Sequence, residues 1–375
     1  MSLWSEADCD IKDFEALCNQ RLDAAEVPQA LNIEKNVPIY AALSGREDTA
    51  TRNALLSEWG WVLGEGPGIF AIQQAVTNHD ALDAATAAYM SIIEEERADS
   101  TGGDHFAAAG ANDRVWNSLQ KLCIAEPAIY ARIFGAPSIA AASEAWLGPH
   151  FQMTAQVNLV RPGGAAQNPH RDYHLGFMTQ EGAATYPKHA HALTAALTLQ
   201  GAIAHCDMPV EAGPTQLLPY SQLYGPGYLA YHRPEFADYF AAHHIQVPLA
   251  KGDALFFNPA LFHAGGHNKS ADIQRFANLV QVSSAFGRAM ESLDRAAMCN
   301  ALYPHLADLP PEMVQAAIAC TAEGYAFPTS LDNDPPIGGL SPKTQADLMR
   351  EAVASGASPQ QFAEMLAALD DRRQP

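Results

Sequence analysis

Three side chains in the sequence have the types and spacing of a metal site. In an extended strand successive side chains alternate between faces, so His170 and Asp172 lie on one side and Arg171 on the other. A third ligand from far along the chain would complete a facial triad of two histidines and one carboxylate, which leaves half of an octahedral metal open for chemistry. His263, in the glycine-rich run 261–270, is the candidate for that ligand.

Other histidines compete for these roles, and an H-x-D tripeptide is weak evidence in a chain with 14 histidines. His267 is the alternative third ligand, but it lies inside a Gly-Gly-His-Asn turn, where we expect a solvated side chain. His174 shares the face of His170 if the strand continues, and would then line the pocket. Five further histidines lack a carboxylate at ligand spacing and are expected to be structural or exposed: His189, His191, His205, His243 and His244.

An arginine follows the third candidate ligand at a distance that suits a hairpin. Arg275 comes twelve residues after His263, and the intervening run from Gly265 to Ser270 is rich in turn-forming residues. Such a hairpin places a guanidinium across the pocket from the metal. Its planar fork of N–H donors is suited to a carboxylate.

Together these motifs carry a resemblance. H-x-D, followed by H-x-G-G-x-N-x-S and then arginine, resembles the phytanoyl-CoA dioxygenase family of iron(II)- and 2-oxoglutarate-dependent oxygenases. The likeness runs from about residue 55 to residue 284. It also includes Gly60–Leu63, Glu211–Pro219 and Lys251–Phe257.

The resemblance implies a reaction and its cofactors. Iron(II) is expected on His170, Asp172 and His263, with 2-oxoglutarate on the metal and its far carboxylate on Arg275. The implied enzyme is a dioxygenase that hydroxylates an unactivated C–H bond of a small molecule with molecular oxygen and releases succinate and CO2. The chemistry belongs to the cofactor, and the protein orients the reactants and excludes water.

The sequence departs from the family pattern at the oxo-acid. Gly265 stands where many members have a serine that helps to hold 2-oxoglutarate, and we expect Ser270 or the amide of Gln156 to take that role. Asp172 is intact, whereas a halogenase of this superfamily would carry a small residue there. The pattern therefore favours hydroxylation.

The elements that must position these residues are short strands. Eight segments with glycine and proline turns predict a mainly β core of the double-stranded β-helix type (jelly roll, cupin-like), in which residues distant in sequence meet at one mouth. The predicted strands are 156–160, 170–172, 194–203, 215–218, 245–249, 254–257, 262–265 and 275–282.

Helices are expected on both sides of this core. The N-terminal region predicts helices at 11–22, 49–59 and 81–97, with a turn at Gly60, a second turn after a first strand at 64–68, and a polar loop at 100–105. Ser341-Pro342 and Ser358-Pro359 predict helix starts near the C-terminus. We expect one elaborated domain over 1–375, with a mostly helical N-terminal region (residues 1–150), a jelly-roll catalytic core (residues 151–285) and a helical C-terminal extension (residues 286–375).

Composition restricts the partners. A net charge of −20 argues against a nucleic-acid partner and weighs against a coenzyme A thioester, because both are polyanions. The sequence has no long apolar run, no signal peptide pattern and no clustered cysteines, so we expect a cytoplasmic protein without a membrane partner and with reduced thiols.

Two other classes stay open at this point. One is a cupin-type metal enzyme, such as a dioxygenase or isomerase, that does not use 2-oxoglutarate. Arg275 would then be a structural or substrate-binding cation. The other is a non-catalytic binding protein on the same barrel.

Overall fold

The computed structural model describes residues 2–98, 112–326 and 329–374. The polar loop predicted at 100–105 lies outside these residues. In the described ranges, ten strands are present: β1 (Asn32–Glu34), β2 (Val37–Ala41), β3 (Ile69–Gln73), β4 (Asn112–Val115), β5 (Gln152–Val160), β6 (Thr198–Ala204), β7 (Gln216–Leu217), β8 (Ala254–Phe257), β9 (His263–Ala264) and β10 (Arg275–Ser283).

Eight of these strands form one mixed sheet in the order β1-β2-β3-β8-β6-β10-β5-β4, and β7 pairs with β9 in a second, two-stranded sheet. The β2–β3 pair is parallel, and the other pairs are antiparallel. The long strand β10 lies between β5 and β6, and its register with both neighbours is continuous. This continuous register determines which residues of β5, β10 and β6 lie side by side across the sheet.

The two faces of the large sheet differ in chemistry because side chains alternate along each strand. In β5 the odd-numbered residues from Met153 to Leu159 are apolar and join the main hydrophobic core. The even-numbered residues Thr154, Gln156 and Asn158 are buried polar side chains on the other face. Strand β10 follows the same rule, with Val280 and Val282 in the core and Gln281 opposite. The polar face is the one available for a functional site.

Fourteen helices surround the sheets in the described residues: α1 (Ile11–Cys18), α2 (Thr49–Gly64), α3 (His79–Ala98), α4 (Ser118–Ala125), α5 (Pro127–Phe134), α6 (Pro137–Leu147), α7 (Gln180–Ala184), α8 (Lys188–Ala196), α9 (Gly227–Ala230), α10 (Pro234–His243), α11 (Arg295–Leu302), α12 (Pro311–Thr321), α13 (Gln345–Ser355) and α14 (Pro359–Arg373). Helices α2–α6 and α11–α14 share the main core with the apolar sheet face. A smaller cluster joins α1, α9 and α10 beneath β9.

Several predicted elements are corrected by the structure. Helix α2 does not turn at Gly60 but continues to Gly64. Gly60 instead allows α2 to pack closely against α6, since a β-carbon there would lie 3.1 Å from the carbonyl oxygen of Ala145. Strand β3 therefore follows the 64–68 turn rather than preceding it. Segment 194–203 is divided between α8 and β6.

Other differences concern the ends and the short strands. The C-terminal helix begins at Pro359 with Ser358 as its cap, as predicted, but α13 is capped by Thr344 instead of Ser341. Segment 245–249 forms isolated bridges only, and β1 to β4 were not predicted as such. These four strands are short, and β4 opens with three polar residues, which conceals its periodicity.

The mainly β core with flanking helices is present as an eight-stranded mixed sheet. Closure of this sheet into a jelly roll, and the division of a single domain into three regions, stay predictions. All six cysteines are unpaired. No helix in the described ranges has the length and apolar character needed to cross a bilayer.

Candidate metal centre

The structure brings the three predicted ligands together. One donor atom from each of His170, Asp172 and His263 lies within 4.8 Å of the other two, and the group is suited to holding a metal ion. His263 is buried, and the side chains of His170 and Asp172 are 27% and 20% exposed. The site is thus open on one side, as a metal that reacts with outside molecules requires.

Local backbone structure sets this arrangement. His170 is not in a regular strand but forms an isolated antiparallel bridge with His263. The amide N–H of Asp172 donates to the carbonyl oxygen of Pro259 at 3.1 Å, which ties the next ligand to the same neighbouring segment. The alternation expected of a strand therefore holds over 170–172 even though the segment is irregular.

The two imidazoles are held in matching tautomers. His170 Nδ1 lies 2.8 Å from the carbonyl oxygen of Asn168, and His263 Nδ1 lies 2.8 Å from that of Leu261. A carbonyl only accepts, so each Nδ1 carries the proton and donates. Both Nε2 atoms then face Asp172 with a lone pair available for a metal. Such backbone contacts orient many metal-binding histidines.

The surroundings of the carboxylate favour its charged form. Burial alone would raise the pKa of Asp172, but the close approach of His263, the nearby His170 and the hydrogen bond from the Gln200 amide outweigh it and hold the pKa below the ordinary value. Burial, followed by the proximity of His263, lowers the pKa of His170. At neutral pH the site therefore offers one carboxylate and a neutral imidazole at position 170, the states that bind metal ions.

Arg171 points away from the ligands, as predicted. Its guanidinium donates to the carbonyl oxygens of Ser221 and Tyr224 at 2.6 and 3.0 Å, and it lies over the rings of Tyr228 and Phe262 at 5.0 and 5.3 Å from their centroids. Burial lowers its pKa to about 10, which leaves it charged at neutral pH. Arg171 thus anchors the backbone of the His170–Asp172 segment on the side opposite the candidate metal ligands.

A cavity of about 620 Å³ opens beside the three ligands. It is bounded by the polar face of the large sheet, the 165–172 segment and β9. Its lining includes aromatic and apolar side chains near the ligands, together with amides and two arginines: Trp116, Phe177, Tyr231, Phe257, Leu279, Met290, Asn112, Gln156, Asn158, Gln167, Gln200, Gln281, Arg114 and Arg275.

Arg275 lines this cavity, but the predicted hairpin is wrong, because β9 pairs with β7 in the small sheet and β10 lies between β5 and β6 in the large one. The Arg275 side chain is buried, and the guanidinium donates to the carbonyl oxygens of Gly213 and Gly266 and to Asn158 Oδ1 at 3.2 Å. These contacts fix the plane of the fork on the cavity wall. A fixed guanidinium is suited to pairing with a carboxylate that enters the cavity.

Gln156 also lines the cavity, in a chain of polar contacts that the sequence did not reveal. Its Oε1 accepts from Arg114 Nη1 at 2.7 Å, and its Nε2 donates to Gln281 Oε1 at 3.2 Å. Arg114 belongs to β4 and comes alongside β5 through the sheet register. The sequence does not reveal the contact between Arg114 and Gln156, because Arg114 is a single arginine in a short polar strand.

Ser270 is placed elsewhere. Its hydroxyl donates to Asn268 Oδ1 at 2.6 Å inside the turn, and among the described residues that line the cavity it is not present. At Gly265 a β-carbon would lie 2.9 Å from Gln167 Oε1, which accepts from the Gly265 amide. Gln167 therefore occupies the space of a serine side chain at 265, and the role of Ser270 in holding the oxo-acid stays a prediction.

The remaining sequence candidates divide between cavity and core. His267 is exposed, in agreement with its expected solvation. His174 does not share the cavity face, because its Nδ1 contacts Thr194 Oγ1 at 2.6 Å. Phe177, Phe257, Thr215 and Asn158 line the cavity, whereas Tyr173 is buried outside the set of described lining residues.

The chain matches the phytanoyl-CoA dioxygenase (PhyH) family over residues 65–277, which is more than half of its length and includes the triad and Arg275. The chain belongs to this family. The family assignment made from the motifs is thereby confirmed. Comparison with curated proteins found no match.

Among solved structures, several proteins resemble this member of the PhyH family at low identity. The alpha-ketoglutarate-dependent carbocyclase SnoK from nogalamycin biosynthesis is 18% identical, with a TM-score of 0.45 over 71% of this chain and 93% of that one. The epimerase SnoN, crystallised with Fe3+ and alpha-ketoglutarate, is 20% identical with a TM-score of 0.43 over 64% and 85%. HygX from Streptomyces hygroscopicus, with nickel and 2-oxoglutarate bound, is 13% identical with a TM-score of 0.40 over 63% and 90%. None of the three fixes a reaction for this chain.

Proposed function

We propose that this PhyH-family protein is an iron(II)- and 2-oxoglutarate-dependent dioxygenase that hydroxylates an unactivated C–H bond of a small molecule. The observation that carries the proposal is the convergence of His170, Asp172 and His263 at one end of a cavity, with both Nε2 atoms turned inward. Two imidazoles and a carboxylate, with an open face, are the donor set typical of non-heme iron(II) oxygenases.

A bound ferrous ion with 2-oxoglutarate would supply oxygen activation and release succinate and CO2. The chain's own residues hold and orient the reactants. His170, Asp172 and His263 would hold the ion, and the fixed guanidinium of Arg275 would pair with the far carboxylate of the oxo-acid. Gln156, joined to Arg114 and Gln281, would present a polar contact to the same molecule.

The rest of the cavity suits a small-molecule substrate. Its volume of about 620 Å³ lies within the range found for small-molecule sites. Trp116, Phe177, Tyr231 and Met290 provide apolar wall, which favours binding of a carbon skeleton and displacement of water from the reacting region. We infer that the reacting C–H bond is held against this wall.

The proposal is tested by oxygen uptake and succinate formation. Protein loaded anaerobically with iron(II) is mixed with a panel of metabolites, with and without 2-oxoglutarate, and stimulated succinate formation identifies a substrate. Mass spectrometry should then show a product heavier by one oxygen atom. Substrate-stimulated oxygen uptake that does not need 2-oxoglutarate would favour the cupin-type alternative, and a protein that binds no iron and forms no succinate would favour a binding protein.

The same proposal extends to architecture. We infer that the eight-stranded sheet and the β7–β9 pair form the two sides of a jelly roll, since the ligands and the polar sheet face enclose one cavity. We also infer a single domain, because residues of the N-terminal, central and C-terminal regions share the main core.

A further inference from the structure

Gln200 contacts the ligand carboxylate directly. It lies in β6, opposite Gln281 of β10 and Phe257 of β8, so its side chain belongs to the polar face of the large sheet. The side chain is 6% exposed and lines the cavity. Its Nε2 donates to Asp172 Oδ2 at 2.5 Å.

The carboxylate needs such a partner. The two oxygens of Asp172 face different ligands: Oδ1 lies 3.6 Å from His170 Nε2, and Oδ2 lies 3.3 Å from His263 Nε2. Rotation about the Cβ–Cγ bond would change which oxygen faces the metal position. A donor at Oδ2 restricts that rotation, and it satisfies a charged oxygen in a largely buried place.

The contact also fixes the orientation of the Gln200 amide. Because a carboxylate oxygen only accepts, Nε2 must face Asp172, and Oε1 must point the other way. Oε1 is buried and has no hydrogen-bond partner among the residues that the structure describes. A buried acceptor of this kind costs free energy unless something donates to it.

We propose that Gln200 is a positioning residue of the metal centre: its amide N–H sets the rotation of the Asp172 carboxylate. The inference rests on the proposed metal-binding function of the triad. Gln200 would affect the metal only by orienting Asp172 and would not itself be a ligand.

Cobalt(II) provides a test that does not depend on turnover. Gln200→Met removes the donor and keeps the length of the side chain, and we expect its cobalt dissociation constant, measured by calorimetry, to rise about 10- to 100-fold. The visible absorption bands of bound cobalt, which report ligand geometry, should shift. The control is Gln152→Met, an amide at the start of β5 that donates to the carbonyl oxygens of Ser284 and Gly287, does not line the cavity and should leave both readouts unchanged.

A second variant and a reference variant make the outcome decisive. Gln200→Leu also removes the donor and adds no charge, and the same loss of affinity is expected if Gln200→Met does not fold. Wild-type cobalt affinity and spectrum in a folded Gln200 variant would overturn the inference. Asp172→Ala distinguishes a failure of this inference from a failure of the proposed metal centre. If Asp172→Ala binds cobalt as tightly as the wild type, the proposed function fails. If Asp172→Ala loses cobalt binding while the Gln200 variants keep it, only the role of Gln200 is refuted.

Discussion

His170 and His263, which lie far apart in sequence, are joined by two reciprocal backbone hydrogen bonds. The amide of His170 donates to the carbonyl oxygen of His263 at 3.0 Å, and the amide of His263 donates to that of His170 at 3.1 Å. Their ring centroids are 4.5 Å apart. The separation of the two candidate imidazole ligands is therefore set by the main chain.

Asp172→Ala should abolish ferrous ion binding at neutral pH with little loss of fold. Two imidazoles alone lack the negative charge that helps to hold a divalent ion, while the backbone bridge that shapes the site remains. Calorimetric titration under anaerobic conditions measures the binding, and circular dichroism checks the fold. Asp308→Ala, which changes an exposed carboxylate, is the control. Wild-type iron affinity in Asp172→Ala would contradict the assignment of this ligand.

Arg275→Ala should raise the 2-oxoglutarate concentration needed for half-maximal succinate formation by roughly 30-fold or more, since truncating one partner of a buried charge pair typically costs about 2–5 kcal/mol. Iron affinity without 2-oxoglutarate should stay near that of the wild type, because Arg275 is not a ligand. Arg46→Ala, at an arginine whose side chain is 72% exposed, is the matched control. An unchanged requirement for 2-oxoglutarate would assign Arg275 a purely structural role.

His205 should make the protein sensitive to acid independently of the metal. Its Nδ1 contacts Thr86 Oγ1, which itself donates to the Leu82 carbonyl, so Nδ1 carries the proton and Nε2 accepts from Asn278 Nδ2. Protonation at Nε2 would place its N–H directly against the N–H of Asn278 Nδ2, so that two donors would face each other. Burial lowers the pKa of His205 to about 4.

The sign of the resulting pH effect follows from proton uptake. Between about pH 6.5 and 4 the unfolded chain binds a proton at position 205 that the folded chain does not, so this contribution to stability is present above pH 6.5 and is lost as the pH falls towards 4. From pH 7 to pH 5 the loss amounts to roughly 2 kcal/mol. Urea unfolding of metal-free protein at both pH values should show a smaller decrease for His205→Gln. Equal decreases for the two proteins would show that His205 titrates normally.

Gly227→Ala should destabilise the protein, by roughly 1–3 kcal/mol. A β-carbon at this position would lie 2.0 Å from Arg171 Cζ, and the guanidinium cannot move without losing its two carbonyl contacts. Gly287→Ala is the control, because its nearest neighbour would be 3.8 Å away, and a change within about 0.5 kcal/mol is expected. Urea titration measures both. Similar stabilities would mean that Arg171 has more room than the contacts suggest.

Local motifs allowed the triad and Arg275 to be located in the sequence, since each combines a reactive residue with turn-forming neighbours. Strands β5, β8 and β10 were predictable because their alternation or apolar character extends over several residues. Arg114 and Gln200 could not be found in this way. Their place in the site depends on the register between strands that are distant in sequence, and neither residue has a distinctive local setting. Gly60 illustrates the opposite problem, because a glycine that permits close helix packing resembles one that ends a helix.

The alternation of faces along β10 has a consequence for insertions. Adding one residue in the middle of this strand would rotate everything beyond it by half a turn, sending Gln281 among the helices and Val282 into the cavity. One inserted residue would therefore disrupt the hydrophobic core and the cavity at the same time. Inserted residues are therefore expected to be tolerated better in the connecting loops than inside β10.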